Sequence, residues 1–144
     1  MGLKVELKPG ERFILGECLI TNNDQRTRLL IEGHAPILRE KDIMTAKMAD
    51  TPAKRLYLVV QLMYTASNPA IHHGTYFALM RDLIEAAPSA AKYMAAISNH
   101  ILAGEMYKAL KSAKALIDYE KELLAHATRG ANLRSDRGKD GKPA

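Results

Sequence analysis

Arginine and lysine recur in the first third of the chain at places that read as strand ends and turns. Arg26 and Arg28 share one face of an extended run, Arg39 and Lys41 close the next short run, and Lys8 sits at the first turn. A planar guanidinium donates paired hydrogen bonds to phosphate oxygens or base edges, and a lysine supplies a point charge along a phosphate backbone. Such a rim is the chemistry of a nucleic-acid surface. Glu32, Glu40 and Asp42 lie among the same residues. Ordinary surface charge neutralised by these carboxylates is the other reading of the pattern.

The remaining candidates for chemistry do not assemble. His72-His73 has the composition of a metal pair, but adjacent residues on a helix point about 100° apart, and no carboxylate or cysteine follows at ligand spacing. His100 and Glu105 flank a helix junction without a third partner, and Asp82 and Glu85 share a helix face without a nucleophile. Cys18 is the single cysteine, so neither an internal disulfide nor a cysteine-based zinc site can form. No Ser-His-Asp set, phosphate-binding loop or dinucleotide fingerprint is present. The residues therefore read as a non-enzymatic protein with no cofactor and no metal.

The chain has 144 residues, 47% hydrophobic and 26% charged, which is the range of one soluble globular domain. No apolar run approaches the roughly 18–20 residues of a membrane span, and the start is not a signal peptide; a cytoplasmic protein is expected. The net charge of +5 is unevenly placed: 1–47 and 48–128 each carry +1, and 129–144 carries +3. Any polyanion site in the body has to come from local clustering of Arg and Lys, not from the total.

Two periodicities divide the chain. Leu3, Val5 and Leu7 alternate with Lys4, Glu6 and Lys8, and Pro9-Gly10 turns the chain. Short runs follow at Glu11–Leu15, Cys18–Thr21, Arg26–Glu32 and Ile37–Arg39, separated by Gly16-Glu17, Asn22–Gln25 and Gly33–Pro36. In the fourth run Thr27, Leu29 and Ile31 share one face. After Met44 the period becomes 3.6. Thr51-Pro52 opens a first helix with stripe Leu56, Val59, Val60 and Met63. A second begins near Thr75, a third is capped by Ser89, and a fourth runs from Glu105 to Ala127 with Met106, Ala109, Leu110, Ala113, Ile117 and Leu124 inward. The last segment has three glycines and almost no apolar residues, and is expected to be disordered. The fold expected is α+β: a small antiparallel β module over 1–47, a bundle of about four helices over 48–128, and a loose basic tail over 129–144.

The order Leu3–Glu11, Ile14-Leu15-Gly16, Arg28–Ile31, Ala35-Pro36 and Arg39–Ile43 resembles the carbon storage regulator (CsrA) family. That resemblance implies a small β fold that dimerises by exchanging strands and binds GGA-containing hairpins in messenger RNA. It implies that Arg39, matched to the family's key arginine, reads a base, and that the first strand touches RNA through Val5 and its neighbours. A second resemblance covers about residues 3–124. Leu3–Arg12, Asp24–Leu29, Ala35–Ile43, Asp50–Tyr57 and Asn99–Leu110 look like the FlbT family. This implies a post-transcriptional regulator acting on the 5′ untranslated region of flagellin mRNA, promoting its decay or, in some members, activating synthesis. FlaF is the opposing partner it implies.

Together these readings expect RNA contact at Arg39, Arg28, Arg26, Lys41, Lys8 and Val5, in a homodimer built through the β module. The other function class is a protein-binding adaptor, in which the helices take FlaF or a flagellin segment and the β module only dimerises.

Overall fold

Period-two alternation places Val5 and Leu7 inward and Lys4 and Glu6 outward on β1 (Gly2–Leu7). Its antiparallel partner is β4 (Thr27–Glu32), with Val5 opposite Leu29 and Glu6 opposite Arg28. The other three strands form a second sheet. In it β2 (Arg12–Leu15) lies between β3 (Cys18–Thr21) and β5 (Ile37–Arg39), Phe13 facing both Ile20 and Arg39 across the ladders. All five strands are legible in the sequence, and the antiparallel β module they form consists of two sheets. The computed structural model describes residues 2–139, with side chains as far as Ala127.

Phe13, Val5 and Leu7 are at most 3% exposed and form a small core between the two sheets, flanked by Leu15, Leu29 and Ile37. Ile14 and Leu38 point the other way, into the core of the helices. The three-stranded sheet is thus the middle of three layers, covered by β1–β4 on one face and by helices on the other. The β and helical segments share that second core, since Leu38 is 2% exposed within it.

The helices are α1 (Pro52–Thr65), α2 (His73–Ala86), α3 (Ala91–Leu102) and α4 (Met106–Lys139). Thr51 caps α1 by accepting the Lys54 N–H, with Pro52 in the first turn. Glu120 on α4 accepts the Ala53 N–H at 3.0 Å, a second cap supplied from across the bundle. Helix α1 is central, burying Leu56, Val59, Val60 and Met63 against α4 and α2. Gly104, at φ +77°, turns α3 into α4. Its N–H bonds Ile101 O, and the Glu105 N–H bonds His100 O, the paired bonds that close a helix through a left-handed residue.

Two expectations are corrected. Ser89 does not cap α3, which starts after a 3-10 turn over Pro88–Ala90; its hydroxyl instead accepts from Tyr119 on α4. Leu124 is 55% exposed on α4, a helix that outruns its 12- and 14-residue neighbours. Leu116, outside the predicted stripe, is buried in its place. The expected disorder over 129–144 falls on residues whose side chains lie outside the described ones; the bounds of α4 reach Lys139, and 140–144 are not described.

Candidate nucleic-acid interface

The site begins with a turn. Pro9-Gly10 sits at its centre, with Gly10 at φ +76° and the Glu11 N–H bonded to Lys8 O at 3.0 Å. Proline followed by a positive-φ glycine is what a type II turn requires. The turn is held from outside. Gly10 donates its N–H to Asn23 O, and the Asn22 side chain donates to Lys8 O and Gln25 O, each at 2.8 Å. These bonds tie the β1–β2 turn to the segment entering β4, and so bring Lys8 and Arg26 together.

The opposite wall is fixed from α1. Tyr57, Gln61 and Tyr64 lie at i, i+4 and i+7, on one face of the helix. Tyr57 donates its hydroxyl hydrogen to Asp42 O. Gln61, 5% exposed, accepts the Met44 N–H at 2.7 Å and donates to Met44 O at 3.0 Å. Tyr64 both accepts from Ile37 N–H and donates to Ile37 O. Burial, with Asp42 adding to it, holds the Tyr57 hydroxyl well above the ordinary phenol range, so it stays protonated as a donor. Three side chains thereby clamp 37–44, the segment that carries Arg39 and Lys41.

Between these walls lies a cleft of about 730 Å³ lined by Lys8, Arg26, Arg39, Lys41 and three carboxylates, Glu6, Glu11 and Glu40. Each carboxylate already has a partner. Arg26 Nη1 meets Glu6 Oε1 at 2.8 Å, Arg12 Nε meets Glu40 at 3.5 Å, and Glu11 accepts the Lys8 backbone N–H at 2.9 Å. Arg39 spends one donor on the Glu6 carbonyl at 3.3 Å, which positions the guanidinium without cancelling its charge. The ammonium groups of Lys8 and Lys41 have no ion-pair partner among the described residues.

Four of the six expected residues therefore converge from three separate stretches of chain. Arg28 does not join them. It stands on the outer face of β1–β4, beside Lys4 and Leu30, in a separate hollow of about 470 Å³. Val5 is 3% exposed and packs against Phe13, so its side chain holds the strand; it borders the Arg28 hollow and not the larger cleft. Tyr107, Lys111 and Lys114 on α4, which the sequence reading missed, line an adjoining cleft with Arg39 and Lys41. Their i, i+4, i+7 spacing is the available signal, on a face of α4 beside its apolar stripe.

His72 and His73 belong to a 3-10 turn and to the start of α2, and no cluster of metal-binding side chains occurs among the described residues. His100 contacts Glu105 at 3.4 Å and Glu105 contacts Lys108 at 2.8 Å, a surface triad at the α3–α4 junction. These contacts hold the Glu105 carboxyl below the usual carboxylate range. No described helix is long and apolar enough to cross a membrane.

Comparison with known proteins gives one consistent answer. The family model of flagellar protein FlbT matches residues 3–124. A probable flagellum biosynthesis repressor protein FlbT 1 of Bradyrhizobium diazoefficiens is 57% identical over 124 residues, 85% of each chain. Its counterpart in Rhodopseudomonas palustris is 52% identical over 125 residues, covering 87% of this chain and 99% of that one. The flagellum biosynthesis repressor protein FlbT of Caulobacter vibrioides is 38% identical over 141 residues, 96% of this chain and 100% of that one. No solved structure matches. With its match running from β1 well into α4, this chain belongs to the FlbT family of flagellar proteins.

Proposed function

We propose that this flagellar regulator acts after transcription, binding the 5′ untranslated region of flagellin mRNA and altering its stability or translation. The observation that carries the reading is the convergence of Lys8, Arg26, Arg39 and Lys41 on one cleft, in a chain whose relatives are named as repressors of flagellum biosynthesis. Arg39 is the reader of a base, because its planar fork is aimed by one backbone bond and its remaining donors are uncommitted. Arg26, Lys8 and Lys41 position phosphate, and Arg28 adds a phosphate contact on the neighbouring face. The work is done in the cytoplasm by a homodimer. The edges of both sheets left unpaired within this chain favour association through the β module.

The test is a mobility shift of a flagellin leader transcript by purified full-length protein, with a scrambled transcript as control and with or without FlaF. A shift selective for the leader supports the reading, and no shift at any protein concentration overturns it.

A second reading, the adaptor, is favoured by a different observation. Leu83, Leu116, Leu123 and Leu124 line an apolar groove of about 600 Å³ between α2 and α4. A helix of FlaF or of flagellin would be its occupant, and a leader shift that requires the added protein would favour it.

A further inference from the structure

Tyr107, Lys111 and Lys114 share one face of α4 by their spacing, and that face meets the end of β5. The cleft between them is about 490 Å³, with Arg39, Lys41 and Asp42 on the β side. Arg39 and Lys41 line this cleft and the larger one described above, so the two adjoin and together make up the Arg39 channel. Tyr107 is 42% exposed. Its ring is backed by Tyr64 at 5.9 Å and 32°, and Tyr64 is itself pinned by its hydroxyl to Ile37. Lys111 Nζ lies 5.1 Å from the centre of the Tyr107 ring, and Lys114 Nζ lies 3.3 Å from Asp42 Oδ1.

The charge balance decides what such a channel can hold. Six cations line it (Lys8, Arg26, Arg39, Lys41, Lys111, Lys114), and five carboxylates line it too. A surplus this small releases few counterions from a duplex backbone, so charge alone gives weak binding there. A contact independent of net charge has to supply the rest. A half-exposed tyrosine ring held from behind is such a contact, since any unpaired base offers a face for stacking and a paired base does not. Lys111 is free to leave the ring when a base arrives, because a cation over an exposed ring is weakly held.

We infer that this second cleft binds unpaired nucleotides, with one base stacked on Tyr107 and the flanking phosphates tracked by Lys41, Lys111 and Lys114. The inference rests on the RNA-binding reading above and extends its site onto the helical bundle. Arg39 then stands at the join, reading a base on one side of the stacked nucleotide.

The experiment uses full-length protein, a flagellin leader transcript, and a single-stranded adenylate dodecamer with its uridylate duplex as competitor. Tyr107→Leu, which keeps apolar contact with Tyr64, is expected to weaken both single-stranded probes by about 5- to 100-fold, and Tyr107→Phe to restore binding. Lys111→Ala and Lys114→Ala are each expected to lower the salt slope by about 0.7. The duplex should compete poorly. Photo-crosslinking of a 4-thiouridine oligomer to the wild-type protein gives a readout that needs no variant, and an adduct on the peptide carrying Tyr107 supports the inference.

Leader binding lost in Arg39→Ala but unchanged in Tyr107→Leu overturns the extension and leaves the RNA-binding reading standing. So do adducts confined to peptides carrying Lys8 and Arg26. Displacement of the oligomer by duplex, or by a polyglutamate peptide, as effectively as by adenylate overturns the stacking claim. A wild-type protein that shifts no RNA overturns both readings together.

Discussion

Two depressions on one chain have opposite chemistry. The channel at Arg39 is lined by charged side chains delivered from a turn, two strand ends and one helix face. The groove at Leu124 is lined mainly by alanines and leucines of α2, of the turn after it and of α4, with Asp50 and Glu120 its two charged residues. Their origins differ as well. The groove follows from helix length, since α4 runs on past the start of α1 and leaves Leu123 and Leu124 beside the end of α2. The channel follows from clamps: Asn22 on one wall, and Tyr57, Gln61 and Tyr64 on the other, hold loops that have no reason to meet otherwise. A surface made by clamping is sensitive to single polar bonds, and one made by overhang is not.

The largest effect should come from removing the base of the clamped wall. Leu38→Ala empties a site shared by β5 and the helical core, and truncations of this kind cost about 2–5 kcal/mol. Gln61→Ala leaves the Met44 N–H and carbonyl without their partner, at about 1–3 kcal/mol for each group left buried. Denaturant titration checks both. RNA affinity should fall along with stability, because Arg39 and Lys41 lose their fixed backbone. Unchanged affinity in a destabilised Gln61→Ala protein would show that the channel does not depend on the clamp.

Next in size is the difference between two arginines that sequence reading treats as equals. Arg39→Ala should weaken leader binding by about 1–3 kcal/mol, the value of a good guanidinium–base contact. Arg28→Ala should cost less than about 1 kcal/mol and act on the salt slope, as a phosphate contact does. Both residues are exposed, so melting temperatures should shift little. Equal losses in the two variants would move the binding surface to the outer face of β1–β4.

A smaller effect is expected from the basic end of the chain. Deleting 129–144 removes five cations and two carboxylates, so affinity for scrambled RNA should fall while the ratio of leader to scrambled binding is kept. Filter binding at two salt concentrations measures both. Loss of the ratio would make those residues the reader.

How much of this was legible depended on whether a contact is periodic. The five strands, the Thr51 cap and the stripe of α1 follow from alternation and turn chemistry, and they stand where the sequence places them. Val5 was placed in the binding surface by likeness to another family, although its own alternation with Lys4 and Glu6 marks it as inward. Leu124 sits on a genuine apolar stripe, but no sequence pattern states how far the neighbouring helices reach. Gln61 and Tyr64 are invisible for a related reason: a polar residue on a helix declares a partner only when the fold brings one. The basic rim of Lys8, Arg26 and Arg39 is visible in the sequence, but only the two-sheet arrangement separates it from Arg28.

The smallest expected effect separates the two depressions most cleanly. Leu124→Glu puts a charge at an exposed position in the apolar groove, where substitution costs within about 0.5 kcal/mol. Leu124 lies ten residues along α4 from Lys114. At 1.5 Å per residue that is roughly 15 Å. This is about two Debye lengths at physiological salt, so the added carboxylate is screened from the channel. Leader affinity should therefore stay within about twofold of wild type. Capture of FlaF or a flagellin segment, if the groove is its seat, should fall steeply, because a buried unpaired charge opposes an apolar helix. Fluorescence anisotropy with labelled leader RNA and pull-down with each protein read the two outcomes separately. A variant that loses RNA affinity while keeping its melting temperature would mean that the groove, and not the Arg39 channel, is where the RNA is held.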